Sequence, residues 1–176
     1  GGLEDCAVYT SNSGSTWTSE THYDMGFVLN AVANQNALRV SRVGNSDNMF
    51  AVSEMTMSDG LVSADIMYNK QGPYFNDAEL YFRFVDRDNF YKVGFRNFYG
   101  FWRIMYEVRY QGSLHAIGII HNFNKVTRPV EGEWYNMAVK AEGNNFTVYL
   151  DGVAVGSFSS SLIPSGSVAV GASATQ

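Results

Sequence analysis

The strongest constraint on this chain is an alternation of apolar and polar residues with period two, repeated along most of its length. Val62, Ala64 and Ile66 share one parity, and Ser63 and Asp65 the other. Between Ala78 and Val85 the alternation assigns Leu80, Phe82 and Phe84 to one face and Tyr81 and Arg83 to the other. Trp102, Ile104, Tyr106, Val108 and Tyr110 alternate with Arg103, Glu107 and Arg109, and stretches 134–141 and 146–150 behave likewise. Successive strand side chains point to opposite faces, so this period predicts strands with unequal faces. No stretch of helical length carries the apolar stripe of an amphipathic helix. Turn chemistry separates the segments at Asp86–Asn89, Glu142–Asn145 and Pro164–Gly166. Asp151-Gly152 predicts a tight hairpin, because both central residues of the favoured turn need positive φ. About a dozen strands at short spacing predict an all-β, two-sheet antiparallel β-sandwich.

Composition narrows the class. The 176 residues suit one domain spanning 1–176 and suffice for a core without metal or disulfide staples. They are 45% hydrophobic and only 16% charged, which excludes disorder. Twelve Lys and Arg against seventeen Asp and Glu, a net charge of −5, argue against a nucleic-acid partner. The longest apolar clusters have strand length, so no membrane span is expected. No secretory signal pattern opens the sequence, which reads as a mature or excised segment. Cys6 is the single cysteine and reads as a small buried hydrophobe, or else as a link to another chain. Abundant Tyr, Ser, Thr, Asn and Gly with little Lys suits an extracellular setting.

Several passages resemble a known family. They are Ala78-Glu79-Leu80-Tyr81-Phe82-Arg83-Phe84 followed by Asp88-Asn89-Phe90-Tyr91-Lys92-Val93-Gly94-Phe95, then Glu133-Trp134-Tyr135-Asn136-Met137-Ala138-Val139-Lys140. Phe146-Thr147-Val148-Tyr149-Leu150-Asp151-Gly152-Val153-Ala154-Val155 and Gly166-Ser167-Val168-Ala169-Val170-Gly171 complete the series. In order and spacing they resemble concanavalin A-like (laminin G-like) jelly rolls, over about residues 60–173. The resemblance implies two curved antiparallel sheets packed face to face. Such members usually end with one more strand, which the sequence lacks after Gly171, whereas Leu3–Tyr9 reads as a version of it. A first strand of this type often pairs beside the last. The sharper alternative is that residues 1–10 complete the sheet of a neighbouring copy, as in donor-strand fibres.

The superfamily includes glucanases, lyases, lectins and carbohydrate-binding modules, so fold alone does not choose a function. A glycosidase of this kind would present Glu-x-Asp-x-x-Glu on one strand, and no such run occurs. Glu54 and Asp59 lie on opposite parities, and Asp77 with Glu79 is read as a polar strand start. The three histidines, His22, His115 and His121, suggest neither a zinc set nor a nucleophile–base pair. The resemblance allows a structural calcium, to which Asp5, Asp24, Asp47 and Asp65 are candidate ligands. Asn145-Phe146-Thr147 is an N-glycosylation sequon.

Sugar binding asks for aromatic faces and planar polar groups. Residues Phe95 to Arg103 supply both at high density, and Tyr74 and Phe75 form a loop pair beside Gly72-Pro73. Trp102 and Trp134 are assigned to the core. Trp17, Tyr74, Phe75, Arg96, Phe98 and Tyr99 are the candidate ligand-binding residues. Arg83, Arg96 and Arg103 are read as forks for hydroxyls or carboxylates, or as partners of Glu79 and Glu107. The sequence thus predicts a non-catalytic, extracellular carbohydrate-binding or adhesion module. The alternative is a structural subunit of a fibre or surface layer that contacts copies of itself through its terminal strand and sheet edges. A polysaccharide lyase or hydrolase ranks third.

Overall fold

A computed structural model describes residues 4–9, 17–19, 30–32, 37–42, 48–68, 77–98 and 100–173, with side chains over most of the chain from residue 51 onward. In chain order the strands are β1 (Glu4–Tyr9), β2 (Trp17–Ser19), β3 (Asn30–Val32), β4 (Ala37–Arg42), β5 (Asn48–Met57), β6 (Gly60–Tyr68) and β7 (Asp77–Asp86). They continue with β8 (Asn89–Phe98), β9 (Phe101–Tyr110), β10 (Ser113–Asn122), β11 (Trp134–Glu142), β12 (Asn145–Leu150), β13 (Val153–Ser159) and β14 (Gly166–Ser173). The first sheet runs β13-β12-β11-β6-β1-β4-β3, and the second β10-β9-β8-β7-β14-β5-β2. Every strand pairing among the described residues is antiparallel, as the alternation predicted.

The inner faces carry the expected residues. Val62, Ala64 and Ile66 of β6 and Met137, Val139 and Ala141 of β11 pack across the interior from Leu80, Val93, Trp102, Ile104 and Val108. Phe82, Tyr91, Phe146 and Phe158 form one aromatic cluster spanning both sheets, with centroids 5.0–6.5 Å apart. Such buried aromatic side chains dominate core energetics, each contributing about 1.5–3 kcal/mol through burial. Asp151 and Gly152 both adopt positive φ, 50° and 78°, in the turn joining β12 to β13.

β1 lies inside the first sheet. It pairs with β4 on one side, Glu4 opposite Arg42, and with β6 on the other, Cys6 opposite Tyr68. Both its edges are therefore occupied within the same chain. It does not lie beside β14, whose two edges are taken by β7 and β5 in the opposite sheet.

Two assignments are corrected. Phe84 does not share a face with Leu80 and Phe82, nor Arg83 with Tyr81. Arg83 adopts φ 46°, and the β7–β8 register breaks between Phe82 and Asp86. This irregularity shifts the parity. Phe84 then packs with Tyr81, Phe90 and Ala169 on the far side of the sheet, while Arg83 turns to the other sheet and lies over the Phe146 ring. Trp134 is not a core residue: it is 38% exposed and opens β11 on the parity of Asn136 and Lys140, away from the interior.

Arg83 is 2% exposed and fully used. Its Nε donates to the Ser58 carbonyl at 2.8 Å, and one terminal nitrogen to the Ile163 carbonyl at 3.0 Å. The other donates to the Gly143 carbonyl at 2.7 Å and to Asp59 Oδ1 at 3.3 Å. Replacing Arg83 by Met removes every one of these donors and should cost about 3–5 kcal/mol in urea unfolding. Lys should recover little, because an ammonium lacks the planar fork. Asp59→Asn should cost under about 1 kcal/mol, since that carboxylate is largely solvated.

Candidate functional site

The outward face of the second sheet departs from an ordinary solvated surface. Its side chains point away from the core, yet Glu79, Tyr81, Lys92 and Glu107 are all buried. Register brings them together: Tyr81 lies opposite Lys92 across β7–β8, and Lys92 opposite Glu107 across β8–β9. Lys92 Nζ bonds Glu79 Oε1 at 2.8 Å and contacts Glu107 Oε2 at 3.2 Å. The Tyr81 hydroxyl donates to the other Glu79 oxygen, and the Arg109 guanidinium reaches Glu107 Oε1 at 3.3 Å. The Lys92 ammonium also stands 5.8 Å from the Tyr81 ring centre and 5.9 Å from that of Phe90. Two carboxylates and two cations thus form a neutral network on an aromatic floor, which is how buried charges are tolerated.

Gly94 lies opposite Glu79 and Met105 within this face. A Cβ there would come within 2.6 Å of the Ala78 carbonyl oxygen and 2.9 Å of Glu79 Cγ. Glycine therefore lets β7 and β8 close beneath a shallow surface depression, lined by Glu79, Lys92, Gly94, Arg96, Met105, Glu107 and Ile117 among others.

Beside the depression, toward the β8–β9 turn, one cross-strand row carries planar polar groups, of which Arg96 lines the depression itself. Arg96 lies opposite Arg103, and Arg103 opposite Asn122 of β10. Phe101 precedes Arg103 by two residues, shares its parity and is 66% exposed. An aromatic face, guanidinium forks and a side-chain amide therefore stand together, which is the chemistry that hydroxyl-rich rings require.

Of the six candidate ligand residues, Arg96 lines this depression. Phe98 lies opposite Phe101, and Trp17 opposite Ser53 in β2; both are described as backbone positions. Tyr74, Phe75 and Tyr99 lie outside the described residues, as do Asp24 and Asp47. Asp65 Oδ1 accepts from Asn136 Nδ2 at 2.7 Å, and Asp5 lies opposite Ser41 in β1. Among the described residues no group of three or more His, Cys, Asp or Glu stands together as metal ligands. Asn145 is exposed at the head of β12. Arg83, read as a possible fork for ligand, is spent on the fold.

Sequence reasoning did not assemble the Glu79–Lys92–Glu107 network, nor single out Phe101 and Asn122. The available signal was shared outward parity across successive hairpins. Two phenol and ammonium groups of the first sheet are displaced from their ordinary values. Burial pushes the Tyr135 hydroxyl up, opposed by the hydrogen bond it accepts from the Val130 N–H. The Glu142 carboxylate beside Lys140 raises that ammonium.

No family model matches the chain, and no curated protein matches it in sequence. Solved structures do. A carbohydrate-binding module, CBM66 from Bacillus subtilis, superposes with a TM-score of 0.63 at 18% identity, covering 91% of this chain and 92% of that one. A family 16 endo-glucanase from Bacteroides ovatus gives 0.62 at 11% identity, over 90% and 80%. The Bacillus licheniformis β-glucanase gives 0.55 at 14% identity, over 99% and 86%. At these identities the likeness is one of fold, and the fold is the concanavalin A-like jelly roll.

The network makes a stability prediction. Lys92→Met leaves two buried carboxylates without their shared cation and should cost about 3 kcal/mol or more, a melting-point loss of roughly 6–12 °C. Adding Glu79→Gln and Glu107→Gln should restore part of it, measured by thermal unfolding.

Proposed function

We propose that this jelly roll is a non-catalytic carbohydrate-binding module of an extracellular protein. It takes sugar on the outward face of the second sheet. Phe101 is the stacking platform, Arg96, Arg103 and Asn122 bond the hydroxyls, and Lys92 with its two carboxylates forms a rigid floor. The observation that carries this reading is the exposed Phe101 beside the Arg96–Arg103–Asn122 row. The likeness to a carbohydrate-binding module over nearly the full length of both chains supports it. The endo-glucanase likeness keeps hydrolysis as a competing reading. Against it, Glu79 and Glu107 share one ammonium, which suits a fixed floor better than an acid and a base exchanging protons. An N-linked glycan on exposed Asn145 belongs to the same extracellular reading.

Phe101→Ala should weaken retention on an array of immobilised polysaccharides by about tenfold, with a melting temperature nearly unchanged. Trp134→Ala, on the outward face of the first sheet, should leave retention intact. The reverse pattern would move the site to the other sheet. Release of reducing ends by the wild type would establish a hydrolase.

The assembly reading keeps one observation. β10 is an edge strand, and its Leu114, Ile117 and Ile119 are exposed. Two register shifts along β10 blunt that edge, as in natural sheets that avoid edge pairing. A protein that sediments as a monomer at high concentration excludes assembly through it.

A further inference from the structure

The charges around the depression are unevenly satisfied. Glu79, Lys92, Glu107 and Arg109 neutralise one another. Arg96 is engaged in an interaction of its own. Arg103 differs: its Nε is buried without a hydrogen-bond partner, and no ion pair joins it to any described residue. The register sets it directly opposite a second guanidinium, Arg96. Like charges opposed across adjacent strands repel, and a charged donor shut away from both water and acceptor is costly. A water, an ion or a ligand group can supply the acceptor that such a nitrogen lacks, and the rest of this half-buried guanidinium is open to a ligand from outside. The rest of the row is ready for it: Asn122 flanks Arg103 on the other side, and Phe101 stands exposed on the same face.

We propose that the ligand is an acidic saccharide, and that Arg103 takes its anionic substituent, a carboxylate or a sulfate ester. This rests on the sugar-binding reading above and narrows it. A guanidinium fork matches the paired oxygens of either group, and the bond is stronger than one to a neutral hydroxyl. Overall attraction is not the source of such binding, because the protein carries a net charge of −5 and repels polyanions at long range. The recognition is local and geometric.

Affinity electrophoresis through gels containing polygalacturonate, dextran sulfate or unmodified dextran tests this with the full chain. Retardation by polygalacturonate, by dextran sulfate or by both, and not by dextran, is expected. Which polymer retards the protein tells carboxylate from sulfate. Arg103→Gln should weaken that retention about ten- to a hundredfold with a melting temperature unchanged or raised. Arg103→Lys should recover only part of it, since the charge returns without the fork. Equal retention by dextran, or an Arg103→Gln protein retained like the wild type, would overturn the proposal. If Phe101→Ala still abolished binding in that case, the sugar site would stand and only its anionic specificity would fall. No retention in these gels, with neutral glycans bound on the array, would overturn it in the same way. Silence on gels and array together would remove the sugar site itself.

Discussion

A guanidinium buried at a strand irregularity organises much of this molecule. Arg83 is held at positive φ, a conformation uncommon for a side chain of its size. Its donors satisfy carbonyls from the β5–β6 turn, the β11–β12 turn and the segment entering β14. One side chain thereby ties three connections to a central strand of the second sheet. The same irregularity sends Phe84 outward to join Tyr81 and Phe90. Those rings are the floor on which Lys92 sits between its two carboxylates. The same device therefore also shapes the face where the buried charges and aromatic rings collect.

Local signals carried the sequence reading a long way. Val62, Ala64 and Ile66 point inward as their parity requires, and Asp151-Gly152 makes the hairpin that its chemistry demands. The resemblance to concanavalin A-like jelly rolls led to the correct architecture. Failures came where a nonlocal fact overrode the period. Nothing adjacent to Arg83 announces that distant carbonyls will draw it through the parity of its own strand. Trp134 was assigned by residue type, although its parity with Asn136 and Lys140 pointed outward. Gln111-Gly112 also turns with positive φ at both residues and passed unremarked. The position of β1 depended on which edges the other strands had already filled, a property of the whole topology.

The candidate site was legible as a region rather than as a constellation. The aromatic and arginine-rich stretch from Phe95 to Arg103 belongs to the β8–β9 hairpin, so its density of rings and guanidinium groups was visible in advance. The partners that give the face its character come from elsewhere. Glu79 arrives from β7, and Asn122 and Ile117 from β10. Only register decides that these meet Lys92, Arg103 and Glu107. The arrangement separates two features: a neutral, buried charge network fixes the floor, and an exposed ring stands beside a row of polar side chains.

The central claim is that sugar is recognised on the outward face of the second sheet. A titration of ¹⁵N-labelled protein with soluble oligosaccharides, followed by amide chemical shifts, tests it directly. The account predicts shifts concentrated at Gly94, at Phe101 to Met105 and at Asn122, with Trp134 to Asn136 unmoved. Shifts confined to the first sheet, or none with any oligosaccharide, would contradict it.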